Sequence, residues 1–127
     1  GAGSGVSAPS VDRTGTWSVY AIAAPQNMAK VEAGFKEEVA RALKGGFTAE
    51  ELANAKSGIM QQRLQNRAQD GTLAGAWAGL MHLGRTFAFS KAFEDKLATL
   101  TVDDVNAALR KHIDLSKVTI VKAGAFK

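Results

Sequence analysis

Two histidines are the only imidazole side chains in the chain, and imidazole is both a common metal ligand and the usual acid–base group near neutral pH. A metal pair on a helix would need a second ligand three or four residues away, and neither His82 nor His112 has one. His82 stands in an apolar stretch with Leu80 and Leu83, which is typical of a structural histidine. His112 falls in the last turn of a predicted helix, where positive charge complements the helix dipole.

Adjacent carboxylates occur in four places and invite an acid–base interpretation. General acid–base catalysis requires carboxylates that converge in a cleft with separated pKa values. Sequence neighbours on a helix instead point about 100° apart. Two of the pairs begin predicted helices, so capping and dipole compensation explain them without catalysis. The four pairs are Glu37 with Glu38, Glu50 with Glu51, Glu94 with Asp95, and Asp103 with Asp104.

The opening Gly1–Gly5 segment, GAGSG, suggests a phosphate loop, but no Lys-Ser or Lys-Thr follows it. A glycine-rich edge strand or linker is the better interpretation. No serine lies in a G-x-S-x-G nucleophile elbow. The chain contains no cysteine, which excludes disulfides, thiolate zinc sites and cysteine nucleophiles. The sequence therefore assigns no catalytic residue and no metal ligand to this chain, and it leaves substrate-binding residues unknown.

Length and composition predict one globular domain over residues 1–127. The chain is 46% apolar and 22% charged, which is ordinary for a folded domain. Its net charge of +4 is spread singly along helical stretches, so we expect no nucleic-acid binding. No apolar stretch approaches the roughly 20 residues of a membrane span. The start lacks an initiator Met and a signal peptide, so we expect the chain to be a fragment of a longer protein.

The pattern of apolar residues predicts strands at both ends of the chain, with helices between them. Residues 1–15 are a glycine-rich edge strand and turn. Thr16–Ala24 alternates as a strand with Trp17 and Tyr20 on opposite faces. Five helical stretches follow. The first is capped by Asn27 and stopped at Gly45 and Gly46; the second runs from the Thr48–Glu51 capping box through Leu64, and after a break at Asp70 and Gly71 the third continues it to Gly84. A short helix from Ser90 to Leu100 and a helix from the Thr101–Asp104 capping box to Ile113 complete the set. Val118–Val121 is a predicted buried strand.

These elements predict an α+β fold in which a small, mainly antiparallel sheet is covered on one face by several helices. Three strands at most make a thin sheet, so its edges need further partners. The aromatic side chains lie at positions typical of a core. Phe87 and Phe89 flank Ala88 in a segment with few other signals, and both a core position and a place lining a groove stay open for them.

Three blocks of this sequence stand in a recognisable order. They are WSVYAIAAPQN running into a long helix, GGFTAEELANAKSGIMQQRLQ, and LTVDDVNAALRKHIDLSKVTIVKAG. Over Thr16–Gly124 the ordered set resembles the C-terminal domain of the insulinase or pitrilysin family of zinc peptidases, the inverzincins. The resemblance implies a truncated, metalloprotease-like α/β roll of the LuxS and peptidase type.

The resemblance also implies a role and partners. Domains of this family pair around a chamber that encloses peptides, and zinc is held by an H-x-x-E-H helix with a distal Glu. This sequence has no H-x-x-E-H, so the zinc of the parent protein would be bound in another domain. The Arg and Tyr that hold substrate backbone in the family would lie before Gly1.

The chain is then expected to be a non-catalytic C-terminal domain that helps to form the chamber. Its partners would be other domains or subunits of the same peptidase and peptide substrates, in a bacterial parent that is periplasmic or otherwise exported. A structural or interaction module of an inactive family relative is the alternative. A small basic nucleic-acid-binding domain is a third possibility, which salt-dependent binding would reveal.

Overall fold

The computed structural model describes residues 1–8, 11 and 14–124. Within them an N-terminal hairpin is followed by five α-helices and two short 3-10 helices. The elements are β1 (Ala2–Ser7), β2 (Thr16–Ala21), a 3-10 helix (Pro25–Asn27), α1 (Met28–Gly45), α2 (Ala49–Arg67), α3 (Asp70–His82), α4 (Phe87–Thr99), α5 (Val102–His112) and a second 3-10 helix (Leu115–Lys117). This mainly helical chain with a small antiparallel sheet confirms the α+β class.

The hairpin pairs β1 with β2 in antiparallel register, from Ala2 opposite Ala21 to Ser7 opposite Thr16. One residue pair beyond the strands continues the ladder: the amide of Ile22 donates to the carbonyl of Gly1 over 2.7 Å, and the amino group of Gly1 donates to the carbonyl of Ile22 over 3.2 Å. The glycine-rich opening forms the strand Ala2–Ser7, whereas the turn predicted to follow it falls partly on residues 9, 10, 12 and 13, which lie outside the described residues. The second strand ends three residues earlier than the predicted Ala24.

The two aromatic residues of β2 lie on opposite faces, as the alternation predicts. Trp17 stacks against Phe35 of α1, with ring centroids 6.1 Å apart and planes at 26°. Tyr20 covers Gly3 on the neighbouring strand, where an added Cβ would lie 2.8 Å from Cε1 of the tyrosine. A larger residue at Gly3 would therefore require the Tyr20 ring to move.

The two predicted capping boxes are both present. The amide of Glu51 donates to the Thr48 hydroxyl over 3.2 Å, and the amide of Thr48 donates to the Glu51 carboxylate over 2.8 Å. In α5 the same reciprocal pair joins Thr101 and Asp104. Each box satisfies two backbone amides that a helix start would otherwise leave unpaired.

Three helix boundaries differ from the predicted ones. Asn27 lies inside the 3-10 helix that leads directly into α1. It therefore lacks the extended backbone of an N-cap residue and is not the cap that the sequence predicts. The break after α2 falls at Ala68 and Gln69, and Asp70 already begins α3, where its carboxylate suits the helix N-terminus. Helix α4 begins three residues before Ser90, because the hydroxyl of Thr86 accepts from the amide of Ala88 and caps it.

The predicted C-terminal strand is wrong for this structure. Val118–Val121 has no strand assignment, and the described sheet consists of β1 and β2 alone. A β-branched run favours extended backbone, but a strand also needs a neighbouring chain about 4.8 Å away to complete a ladder. Val118–Val121 instead borders an open cleft, so it lacks that neighbour.

The chain divides into two compact units. The sheet unit comprises Gly1–Arg41 with Leu115–Lys127, and the helical unit comprises Ala42–Asp114. Among the described residues no apolar side chain is buried, and Asn106 is the one buried polar residue, with 8% of its surface exposed. Large apolar side chains are therefore open to solvent in both units. The prediction of a single domain over residues 1–127 stays a prediction.

Candidate functional site

The two histidines lie at the ends of different helices and are both exposed. His82 is the last residue of α3 and His112 is the last residue of α5. Within residues 1–8, 11 and 14–124 no group of three His, Cys, Asp or Glu side chains is placed to hold a metal ion. These residues do not fit a zinc site of the inverzincin type, which needs two histidines and a carboxylate together.

At least one carboxylate of each adjacent pair has a structural partner. Glu51 and Asp104 complete the capping boxes, and hydrogen bonds from the side chain and then the backbone of Thr101 lower the pKa of Asp104. Glu38 pairs with Arg41, and Asp95 pairs with Lys91 over 2.7 Å. The geometry supports the capping and ion-pair interpretation of these groups.

Glu94 is the most heavily engaged carboxylate of the helical unit. It accepts from Arg63 over 2.8 Å and from Arg67, and these two guanidinium groups hold its pKa below the usual value. Arg63 also donates to the Ser90 hydroxyl and lies 4.8 Å from the ring centroid of Phe93. Two helices, α2 and α4, are joined by this cluster.

Beside that cluster a groove of about 440 Å³ opens in the helical unit. Phe87 and Phe89 both line it, which answers the question that their sequence context leaves open. Phe87 also packs edge-on against Trp77, with ring centroids 5.6 Å apart.

Among the described residues no helix is long and apolar enough to span a bilayer.

The cleft of the sheet unit has a different construction. It measures about 350 Å³, with Trp17–Ala21 of β2 in one wall and Val118–Lys122 of the C-terminal segment in another. Its floor is α1, through Met28, Val31 and Phe35, which share one helix face. We call this cleft the slot.

Two charged side chains line the slot, and they neutralise each other. Glu32 of α1 forms an ion pair with Lys122 of the far wall and a second one with Lys36 over 2.6 Å. Hydrogen bonds from Lys122 and then Lys36 lower the pKa of Glu32 to about 2. The C-terminal segment is therefore tied to α1 at its end, while its Val118–Val121 part faces the open slot.

Three tertiary contacts in the helical unit are not identified by the sequence reasoning. Asn106 of α5 accepts from the Phe47 amide over 2.7 Å and donates to the Phe47 carbonyl over 3.2 Å. Gly46, with φ of +74°, lies against it, because an added Cβ would be 2.6 Å from Cγ of Asn106. Lys56 of α2 donates to the carbonyls of Ala98 and Leu100 at the end of α4, over 2.9 and 2.6 Å.

A signal was present for two of these. Asparagine is a poor residue for a helix interior, so Asn106 in the middle of α5 is a candidate for a tertiary contact. Gly46 follows the glycine that ends α1, and a second glycine in succession is typical of a position where the backbone takes a positive φ. Lys56 has no comparable signal, since a lysine on a helix is ordinarily solvated.

A comparison with known protein families matches the N-terminal part of the chain. Residues 1–59 match the family model described as the Peptidase M16 inactive domain, which covers the hairpin, α1 and the first part of α2. For residues 1–59 this match confirms the resemblance to the insulinase and pitrilysin peptidases. No curated protein and no solved structure matches the chain.

Proposed function

Because residues 1–59 match the family model of the Peptidase M16 inactive domain, we propose that the chain is a non-catalytic domain of a zinc metallopeptidase. It forms part of the wall of a chamber that encloses peptide substrates. Zinc is held by a different domain, through an H-x-x-E-H helix. The family match is the observation that carries this proposal.

The side-chain chemistry of the described residues supports an architectural role. The acidic and basic groups with strong hydrogen bonds, such as Glu94 and Asp104, serve helix caps and helix–helix contacts. Apolar side chains such as Trp77 and Met81 are more than half exposed, and extensive exposed apolar surface is typical of protein contact faces. A domain that packs against other parts of a peptidase needs surface of this kind.

The test compares the full-length protein with a form that lacks these 127 residues. We expect the full-length protein to hydrolyse a fluorogenic peptide and to contain zinc. The shortened form should keep its zinc, measured by metal analysis, and lose most of its hydrolysis. Stoichiometric zinc on the purified 127-residue chain would contradict the proposal, because the metal site would then lie here.

The full-length sequence supplies the control for the alternative function. An H-x-x-E-H helix in the rest of the protein is expected for an active peptidase. Its absence would favour a structural module of an inactive relative. A bacterial and exported parent is part of the proposal, and a signal peptide at the true N-terminus would support it.

A further inference from the structure

The groove in the helical unit is apolar along α3. Ala76, Gly79 and Leu80 line it, and their spacing places them on one helix face. An added Cβ at Gly79 would meet nothing within 4 Å. Two small residues therefore leave room against this helix for an apolar side chain.

The α4 side of the groove is aromatic, through Phe87, Phe89 and Phe93. The volume of about 440 Å³ lies in the range of roughly 300–1,000 Å³ that is typical of sites for small ligands. A docked helix presents its anchor residues over about two turns. A groove of this size therefore suits a short apolar group better than a helix.

A positively charged edge borders the apolar lining. Arg63 and Arg67 both line the groove, and both are paired with the single carboxylate of Glu94. Lys91, which borders a neighbouring cavity with Arg67 and Glu94, is itself paired with Asp95. Two guanidinium groups against one carboxylate leave one positive charge, so the edge is complementary to a further anion.

Arg67 keeps donors for that anion. Its side chain is 39% exposed and donates to Glu94 through Nη1. Within residues 1–8, 11 and 14–124 its Nε and Nη2 groups donate to no other residue. A guanidinium presents two parallel N–H groups to a carboxylate, so Arg67 can bind a second carboxylate and keep its bond to Glu94.

Two further polar side chains favour a peptide over a fatty acid as the anion. Asn66 and Thr72 are exposed and line the same groove. Side-chain amide and hydroxyl groups hydrogen-bond to peptide groups, whereas a hydrocarbon tail offers them no partner. A carboxylate, peptide groups and an apolar side chain occur together at the carboxyl-terminal end of a peptide.

We propose that the groove binds the carboxyl-terminal end of a peptide whose last residue is apolar. The apolar side chain lies between α3 and α4, and the terminal carboxylate pairs with Arg67. Each peptide bond that a peptidase hydrolyses creates one such free carboxylate, so the source of the ligand rests on the proposed function. The groove and its charged edge rest on the structure alone.

Calorimetric titration of the full-length protein tests the proposal. The two ligands are acetyl-Ala-Ala-Leu with a free carboxylate and the same peptide as a carboxamide, and zinc is removed beforehand so that neither is hydrolysed. The free acid should bind about 10-fold more tightly, because the amide lacks the charge-assisted hydrogen bonds to Arg67. Equal affinities, or no binding of the free acid, would refute the proposal.

Arg67→Met and its control Arg41→Met examine the charged edge. Arg41 also pairs with one carboxylate, that of Glu38, but it belongs to α1 and does not line the groove. Arg67→Met should lower the affinity for the free acid to that for the amide. Unchanged binding of the amide shows that the variant is folded. Arg41→Met should keep the preference for the acid, and a preference that survives Arg67→Met would contradict the proposed site.

Gly79→Leu and Gly75→Leu examine the apolar part. Both glycines belong to α3, and nothing lies within 4 Å of a Cβ added to either. Gly79 is among the described residues that line the groove, and Gly75 is not. Leucine is the better helix former, so both variants should fold. Gly79→Leu should fill the groove and weaken binding of both peptides about 10-fold, while Gly75→Leu should change neither; equal effects would count against the groove.

Octanoate distinguishes a peptide from a lipid-derived carboxylate. It carries the same charge on an apolar chain and has no peptide group for Asn66 and Thr72. The peptide acid should bind more tightly than octanoate. Tighter binding of octanoate, with the same dependence on Arg67, would mean that a fatty acid is the ligand and that the peptide is not.

The two proposals fail separately. If removal of the 127 residues leaves peptide hydrolysis unchanged, the chamber role is wrong, and the preference for the acid still decides whether the groove binds a carboxyl terminus. If that preference is absent while hydrolysis depends on these residues, the groove proposal alone is wrong.

Discussion

The two units of this chain use their hydrogen-bonding groups in opposite ways. In the helical unit, polar side chains close onto backbone groups of other elements, as Asn106 does on Phe47 and Lys56 does on the end of α4. In the sheet unit, the backbone N–H and C=O groups of Trp17, Val19 and Ala21 point away from β1 and face a cleft. The helical unit therefore fixes its own local geometry, whereas the sheet unit presents a strand edge.

This difference assigns different consequences to substitutions in the two units. A polar contact that is complete within the helical unit should reveal itself as a loss of stability when it is removed. A residue that lines the slot should have a smaller effect on stability, because its side chain borders an open cleft. The expected effects decrease from the most complete contact of the helical unit to an exposed ion pair of the sheet unit.

Asn106→Ala should have the largest effect. The side chain is 8% exposed, and its loss leaves both the amide and the carbonyl of Phe47 without their partner. Each unpaired, partly buried group costs about 1–3 kcal/mol, so we expect unfolding free energy to fall by about 3 kcal/mol. Urea unfolding followed by circular dichroism measures it.

Asn54→Ala is the matched control for that experiment. Asn54 is an exposed residue in the interior of α2, and the same replacement there should be neutral or slightly stabilising, because alanine is the better helix former. A similar loss at both positions would mean that the contact with Phe47 contributes little.

Gly46→Ala should come next, with a loss of about 2 kcal/mol. It combines an unfavourable positive φ with a steric clash, since the new methyl group would meet the Asn106 side chain at 2.6 Å. Gly84→Ala separates these causes: its φ is +64° and nothing lies within 4 Å of an added Cβ. We expect Gly84→Ala to cost about 1 kcal/mol from backbone conformation alone.

A double-mutant cycle sharpens this second prediction. When Asn106 is already alanine, Gly46→Ala should cost no more than Gly84→Ala, because the clashing side chain is gone. Strictly additive losses would show that Gly46 and Asn106 act independently, which would remove the close contact between them as a cause.

The helical unit is also where the sequence predicts structure best. Capping boxes are local patterns of four residues, so Thr48 with Glu51 and Thr101 with Asp104 identify two helix starts before any tertiary contact is known. The Gly45–Gly46 stop is local in the same sense. The contact of Asn106 with Phe47 joins residues 59 positions apart, and no short-range pattern encodes such a pairing.

The sheet unit shows the opposite limit. Alternation correctly predicts β2 and the faces of Trp17 and Tyr20. The β-branched Val118–Val121 run predicts a strand that the structure lacks, because ladder formation depends on a neighbour and not on the run itself. Local motifs predict no catalytic residue in this chain, whereas the slot depends on three distant segments that only the fold brings together.

Lys56→Met should cost about 1 kcal/mol. The ammonium group donates to two carbonyls at the end of α4, and a cation there also complements the helix dipole. Methionine keeps most of the apolar stem, so the change isolates the charge and its hydrogen bonds. Lys30→Met, at an exposed position of α1, is the control and should leave urea unfolding unchanged; equal losses would indicate a general charge effect.

The ion pair at the end of the slot should give the smallest effect and a defined pH dependence. Lys122 and Lys36 lower the pKa of Glu32 from its ordinary 4.5 to about 2, so the folded state binds a proton less readily than the unfolded state. The stability that Glu32 contributes is then fully present above pH 4.5 and is lost as pH falls towards 2.

Glu32→Gln should therefore be less stable than the unmodified chain at pH 7, and the gap should close as pH approaches 2. Urea unfolding across this range measures the gap, with Glu37→Gln, an exposed position on the same helix, as the control. If the gap at Glu32 does not depend on pH, the ion pair with Lys122 does not hold the C-terminal segment. The sheet unit would then lack this tie between α1 and the C-terminal segment, and the contrast between the two units would be greater than the structure indicates.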